Sequence, residues 1–293
     1  MTDRPFRFGL NLIPSGSKAD IQQICRQAED LGYDIITASD QVKLELPFAG
    51  IQAWTTWSPF LALAAAAEAT SLRVGTYTLN ASLYRPALLN REVIGLQQYT
   101  NGRLELGIGV GYMKDDFESS GIPWATASER IDRLERLVGE YKQLAKDPVP
   151  PILIGNSINE RVRKLSATEA DIVSLIGAGS RDAFTPARLL SSAELADQCE
   201  YVRTTAGDRY AAIEMNTLVH AVQITEDRSA VPSFPNISGM PPEELHKIPA
   251  VLSGTPKAIA EDLHRYRETY GFSYYTLRVP NMADFAKVIS ALR

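Results

Sequence analysis

A chain of 293 residues, 45% of them hydrophobic and 22% charged, carries enough apolar side chains for one large core of the size a barrel domain needs. Its formal net charge of -5, with both signs spread along the chain, leaves no basic stripe for a phosphate backbone, and no apolar run is long enough to cross a bilayer. These features exclude nucleic acid and membrane as expected partners, and the widely separated Cys25 and Cys199 read as buried thiols of a cytoplasmic protein, not as a disulfide framework.

From the N-terminus onward, apolar β-rich runs alternate with amphipathic helical stretches, the pattern of parallel strands joined by crossover helices. Eight strands are predicted, over Arg7–Leu12, Ile35–Asp40, Val74–Asn80, Leu104–Val110, Pro151–Gly155, Ile172–Ile176, Met215–Ile224 and Tyr274–Val279. After the first of them, Ser17 caps a helix that carries Ile21, Ile24, Cys25, Ala28 and Leu31 at helical spacing, and Gly32 ends it. Thr126 or Ser128 opens a helix with Ile131, Leu134, Leu137, Val138, Tyr141 and Leu144 on one face. Thr255 followed by Pro256 opens another, which stops at Gly271. The stretch Thr225–Pro249 has five prolines and little periodicity, so it reads as an insertion after the seventh strand. The expected fold is a single (β/α)8 TIM barrel, one domain over residues 1–293, with that insertion.

Such barrels place reacting groups at the carboxyl ends of their strands. The second strand ends in Ser39-Asp40-Gln41, where the carboxylate either hydrogen-bonds a heterocycle and moves a proton, or simply shapes a turn. The fourth ends in Gly107-Ile108-Gly109-Val110-Gly111-Tyr112. Missing side chains there let backbone amides approach a planar ring or a phosphate, and tight strand packing explains them equally well. The fifth ends in Gly155-Asn156-Ser157-Ile158-Asn159, suited to a phosphate at a helix N-terminus or to a plain cap. Other junctions supply Asn11, Tyr77 to Asn80, Ile176 with Gly177, His220 and Arg278, while Trp54 to Trp57 either lines a pocket or packs under Phe60 and Leu61. His220, His246 and His264 lack metal-ligand spacing, and neither a P-loop nor a G-x-S-x-G elbow is present.

Several stretches, in this order, carry a family likeness. They include Gly32-Tyr33-Asp34 leading to Ser39-Asp40, Leu72-Arg73-Val74-Gly75-Thr76, Arg85-Pro86-Ala87-Leu88-Leu89 and Gly102-Arg103-Leu104-Glu105-Leu106-Gly107-Ile108-Gly109. Asp116-Phe117, Gly121-Ile122-Pro123, Pro151-Ile152-Leu153-Ile154-Gly155 and Gly254-Thr255-Pro256 continue it. Together they resemble the luciferase-like flavin- and F420-dependent oxidoreductases. The resemblance implies a barrel that holds a flavin or deazaflavin ring over the strand ends, with a cis peptide that is not X-Pro near Tyr77 and Thr78. It implies cofactor neighbours at Asn11, Asp40, Tyr77, Thr78, Asn80, Gly109, Gly111 and Tyr112, and a cofactor-phosphate end at Gly155, Asn156, Ser157, Ile158, Ile176 and Gly177. Gln41 stands where many F420-using relatives carry His, and glutamine is no acid or base. The catalytic candidates are therefore Asp40 and Tyr112, with Gln41 beside them. No metal is expected.

The resemblance implies coenzyme F420 as cofactor, with FMN the alternative. The expected activity is hydride transfer between the deazaflavin C5 and a small, partly apolar organic substrate such as an imine or enone. FMN-dependent monooxygenation is the second reading, and a barrel that binds the cofactor without turnover is the third. A homodimer is the expected assembly.

Overall fold

The protein is described here by a computed structural model over residues 4–42, 44–46, 51–53, 56–156, 158–179, 188–228 and 240–293; Trp54 and Ser157 lie outside the described residues. Its eight main strands are Arg7–Leu12, Ile35–Ala38, Arg73–Thr76 with the continuation Leu79–Asn80, Leu104–Gly109, Ile152–Asn156, Ile172–Leu175, Glu214–Val219 and Phe272–Arg278. Their hydrogen-bonded order runs third, second, first, eighth, seventh, sixth, fifth, fourth and back to the third, which is the closed (β/α)8 barrel the sequence predicts. Every residue of Leu104–Gly109 is buried, as a strand covered on both faces requires. Among the described residues no helix is long and apolar enough to cross a membrane.

By its contacts the chain divides into two compact units. One consists of Asn11–Glu29 and Ile35–Gly155. In it the helix Pro59–Ala69 begins on a proline that needs no hydrogen-bonded N–H, and its far end is held by Arg103. That guanidinium donates to the carbonyls of Ala67, Thr70, Leu72 and Thr100 at 2.8 to 3.0 Å, placing a cation on the negative end of the helix just where the third and fourth strands begin. The helix Ala127–Leu144 opens on Thr126, not Ser128: Thr126 and Glu129 form a capping box, and Ile131, Leu134, Leu137, Val138 and Tyr141 are buried as their spacing predicts. Leu144, at the last turn of that face, is exposed.

Within this unit the third strand is interrupted at Tyr77–Thr78, whose peptide is cis, as the resemblance implies. The fourth strand lies against it. A Cβ added at Gly107 would stand 2.0 Å from the Thr76 carbonyl oxygen, and one added at Gly109 would stand 2.5 Å from Thr78 Oγ1. Thr76 Oγ1 also accepts from the Gly107 N–H and donates to the Gly107 carbonyl, both at 2.8 Å. Strand packing is thus sufficient reason for these two glycines.

The other unit consists of Met1–Leu10, Asp30–Asp34 and Asn156–Arg293. Its core is aromatic, with Phe8, Phe272, Tyr274, Tyr275 and Phe285 fully enclosed, and the buried Glu214 is paired to Arg7 at 2.5 Å. Thr255 caps the helix Pro256–Tyr270, and Gly271 ends it at a φ of 83° that a side chain resists. Here the structure corrects one predicted element. The run Met215–Ile224 is two strands, because the chain leaves the barrel at His220, whose N–H donates to the Ala250 carbonyl. Ala221–Ile224 then pairs in parallel with Val251–Gly254, a strand the sequence reading missed. That extra strand closes the insertion, which also contains the short helix Pro242–Leu245.

Gly107→Ala is expected to lower the unfolding free energy by about 1–3 kcal/mol through overpacking against the Thr76 carbonyl. Gly139→Ala, at an exposed helical position with nothing within 4 Å of the new methyl, is expected to raise it by up to about 1 kcal/mol. Urea unfolding of the two variants in parallel with the parent checks both signs.

Candidate active site

The second strand ends at Ala38 and delivers Ser39, Asp40 and Gln41 to the loop above it. The Asp40 carboxylate accepts the Asn80 N–H at 2.9 Å and a hydrogen bond from the Tyr84 hydroxyl. Its surroundings withdraw it from water, and this desolvation pushes its pKa up to about 6. The two hydrogen bonds oppose that rise, whereas the nearby charge of Asp116 adds to it. Burial, reinforced by the Asp40 charge, holds the Tyr84 hydroxyl protonated far above the ordinary tyrosine range. Asp116 is only 3% exposed, sits in the first turn of the helix Lys114–Ser119, and accepts the Val42 N–H at 2.8 Å. A half-buried carboxyl with a value near neutrality, beside a phenol that stays protonated, is equipped to take up or release a proton in the physiological range.

Asn80 closes the third strand. Its side-chain oxygen accepts the Ser82 N–H at 3.1 Å, which fixes the amide orientation and leaves Nδ2 enclosed without a partner among the described residues. Gly111, at a φ of +79°, lies against that amide, and a Cβ there would stand 2.2 Å from the Asn80 oxygen. Gln41 Nε2 reaches the Tyr112 hydroxyl at 3.3 Å and the Met113 sulfur at 3.7 Å, its backbone carbonyl accepts the Thr56 hydroxyl, and its Oε1 is enclosed with no partner among the described residues. Tyr112 itself is 79% exposed, so its phenol borders solvent. Asn11 is part of a satisfied chain in which Thr37 donates to its oxygen at 3.0 Å and its amide donates to Ser39 at 2.9 Å. Tyr77 is buried, with its N–H on the Ala38 carbonyl at 2.8 Å. Trp57 is tied to the loop after the first strand through Gly16 and Pro14.

The structure therefore gathers Asp40, Asn80, Gly111, Gln41 and Tyr112, and it adds Tyr84 and Asp116, which the sequence reading passed over as site residues. The helix dipeptide Arg85-Pro86 and the pair Asp116-Phe117 lay in the stretches that carried the family likeness, so the signal was present. Gly155 belongs to the same unit, and a Cβ on it would meet only Thr78 at ordinary contact distance. Asn156, Ile158, Ile176 and Gly177 belong to the other unit. There Asn159 caps the helix Glu160–Glu169 by accepting the Arg161 N–H at 3.0 Å, Ile158 and Ile176 are exposed, and Gly177 turns the chain at a φ of +64°. His220 donates to the Ile176 carbonyl at 2.8 Å, and burial pushes its pKa down to about 4, which keeps it neutral. His246 and His264 are likewise engaged, with the Arg228 carbonyl and the Arg267 side chain.

A family model described as luciferase-like monooxygenase matches residues 5–189, more than half of the chain. The chain belongs to this family. It is a family of oxidoreductases and monooxygenases. An uncharacterized protein of Mycobacterium tuberculosis is 26% identical over 180 residues, 50% of this chain and 62% of the relative. An F420-dependent glucose-6-phosphate dehydrogenase of Amycolatopsis mediterranei is 28% identical over 128 residues, 43% of this chain and 37% of the relative. The chain thus spans less than two thirds of the length of these curated relatives. Among solved structures, an F420-dependent secondary alcohol dehydrogenase in complex with an F420-acetone adduct aligns at a TM-score of 0.72, over 99% of this chain and 100% of that one, at 16% identity. The long-chain alkane monooxygenase LadA aligns at a TM-score of 0.73, over 99% and 91%, also at 16% identity. At these identities the likeness is one of fold, and it covers nearly the whole chain.

Because the folded Asp40 value of about 6 lies above its ordinary 3.8, the native state binds a proton that the unfolded chain has released between those two pH values. The contribution of this group to stability is therefore largest in acid and declines as pH rises through about 6. Asp40→Asn removes that decline. Its stability relative to the parent is expected to rise by on the order of 1 kcal/mol or more between about pH 4 and pH 7, read from urea midpoints at the two pH values.

Proposed function

We propose that this luciferase-like chain, acting as one barrel domain and as a homodimer, is an oxidoreductase that uses coenzyme F420 on a small, partly apolar organic substrate such as an imine or enone. The observation that carries the reading is the enclosed Asn80 Nδ2, which has no partner among the described residues, next to the half-buried Asp40 carboxyl. A buried donor without an acceptor costs on the order of 1–3 kcal/mol, and a ring carbonyl of a bound heterocycle would satisfy it. When bound, the deazaflavin supplies the hydride donor or acceptor at its C5. Asn80 would hold the ring through Nδ2, and Asn11, Tyr77, Thr78, Gly109, Gly111 and Tyr112 would border it. Asp40 holds or moves the proton that accompanies reduction of the substrate, since Gln41 cannot. F420 is favoured by the Amycolatopsis relative, an F420-dependent glucose-6-phosphate dehydrogenase.

A second reading is FMN-dependent monooxygenation. It is favoured by the description of the family model itself. Titration of the purified protein with F420 and with FMN, followed by absorbance and fluorescence, separates the two, and oxygen uptake during turnover is expected only for the second. Tight binding of F420 with no oxygen consumed is the expected outcome; exclusive binding of FMN overturns the first reading. Under the first reading, Asp40→Ala is expected to lower turnover at least tenfold with the fold intact by circular dichroism. Normal turnover in that variant removes Asp40 from the mechanism.

A further inference from the structure

Within the unit that contains Asn156–Arg293, the inward face of the strands can be followed layer by layer toward their carboxyl ends. Ser174 on the sixth strand donates to the Asn216 side chain on the seventh at 2.6 Å, and Asn216 donates to Thr276 on the eighth at 2.9 Å; all three are buried. Tyr275, next in sequence, instead turns its hydroxyl to the Leu263 carbonyl of the helix Pro256–Tyr270 at 3.4 Å, so alternate positions of the eighth strand face the helices. Arg278 is the last residue of that strand and lies two beyond Thr276, which places it on the inward face one layer nearer the carboxyl end. The pairing of Val219 with Leu277 brings His220 alongside it. The His220 ring is held on the Ile176 carbonyl at 2.8 Å, and Asn281 fastens the turn by donating to the His220 carbonyl and accepting the Val222 N–H, both at 3.3 Å.

Arg278 is half-buried, its Nε is enclosed without a partner, and no hydrogen bond or ion pair joins it to any of the described residues. At the amino ends of the strands the arginines are satisfied: Arg7 has Glu214, Arg73 has Glu105, and Arg103 has backbone carbonyls. Arg130 and Arg163 also enclose an Nε without a partner among the described residues, but each lies over an aromatic ring, Trp124 and Tyr201. Arg278 has neither compensation. His220 brings no charge to it, because burial keeps that imidazole neutral. A guanidinium does not shed its proton near neutrality, and its planar fork matches the two oxygens of a carboxylate or phosphate. We propose that Arg278 anchors an oxyanion subsite at the carboxyl ends of the sixth to eighth strands, which takes the carboxylate or phosphate group of a small organic ligand other than the cofactor. The family resemblance puts the cofactor phosphate at the ends of the fifth and sixth strands, whereas Arg278 closes the eighth. The exposed Ile176 beside His220 offers the ligand an apolar surface. The subsite itself does not depend on the F420 reading. Only the step that makes this ligand the organic substrate, hence an acid or a phosphate ester, rests on that reading.

The test uses the whole chain without added cofactor. With arginine labelled by nitrogen-15, the Nε–H signal of Arg278 is assigned by its loss in Arg278→Lys and, independently, in Arg278→Gln; the exposed Arg26, assigned through Arg26→Lys, is the control. Inorganic phosphate and propionate, added against sodium chloride of equal ionic strength, are expected to move the Arg278 signal saturably and further than that of Arg26. Calorimetric titration with phosphate is expected to show binding weakened roughly tenfold or more in Arg278→Gln. Arg278→Lys, which keeps the charge and loses the fork, is expected to lose less. A signal that neither anion moves, or that moves no further than that of Arg26, overturns the proposal. F420 and FMN are then added in turn. A cofactor that moves the Arg278 signal and displaces phosphate overturns the assignment to a separate ligand, and phosphate or propionate that still binds with the cofactor in place supports it. Failure of F420 to bind while the response to the anions is intact overturns the F420 reading and leaves the subsite standing.

Discussion

The fourth strand approaches the third as closely as it does because Gly107 and Gly109 offer no side chain, and much of the site follows from that approach. With Thr76 hydrogen-bonded to both polar groups of Gly107, the third strand is set in place at the point where its continuation Leu79–Asn80 pairs with Ile108 and Gly109. This fixes the Asn80 N–H, which is one anchor of the Asp40 carboxylate. Gly111 then lets the next turn lie on the Asn80 amide, whose oxygen is committed to Ser82. A backbone requirement in one strand is in this way converted into the position of a carboxyl two strands away.

The chemistry of the site comes from an imbalance that the packing does not relieve. A desolvated carboxyl normally finds a cation, as Glu105 finds Arg73 at 2.7 Å and Glu214 finds Arg7 in this same molecule. Asp40 instead receives one backbone N–H and one phenol, and has a second carboxylate for a neighbour. Those two carboxylates each face a cation, whereas desolvation pushes the Asp40 carboxyl up to about 6. That contrast, more than burial as such, marks it off from the others.

Most of the fold could be read in advance because a buried parallel strand announces itself as an unbroken apolar run, and seven of the eight predicted runs coincide with observed strands to within about two residues at each end. The exception, Met215–Ile224, is apolar on both sides of His220, so nothing in its composition signals that the chain changes partners there. The glycines of the fourth strand were visible, but two explanations fitted them equally; only the distances to Thr76 and Thr78 show that packing already demands them. Asp40 and Asn80 were legible from their places at strand ends. Tyr84 and Asp116 were not, since each lies a few residues beyond its strand, in a connection or a short helix, where periodicity carries no information and only the folded chain reveals what faces what.

The departure of the chain at His220 has a bearing on how this protein can change. Once outside the barrel, the backbone ties itself off in a two-stranded sheet, Ala221–Ile224 with Val251–Gly254, before the helix Pro256–Tyr270 resumes the regular alternation. Residues added or deleted between those two short strands are buffered by their pairing, so the register of Phe272–Arg278 is insulated from them. The segment is a natural place for relatives to differ in length, leaving the alignment of the remaining strands intact.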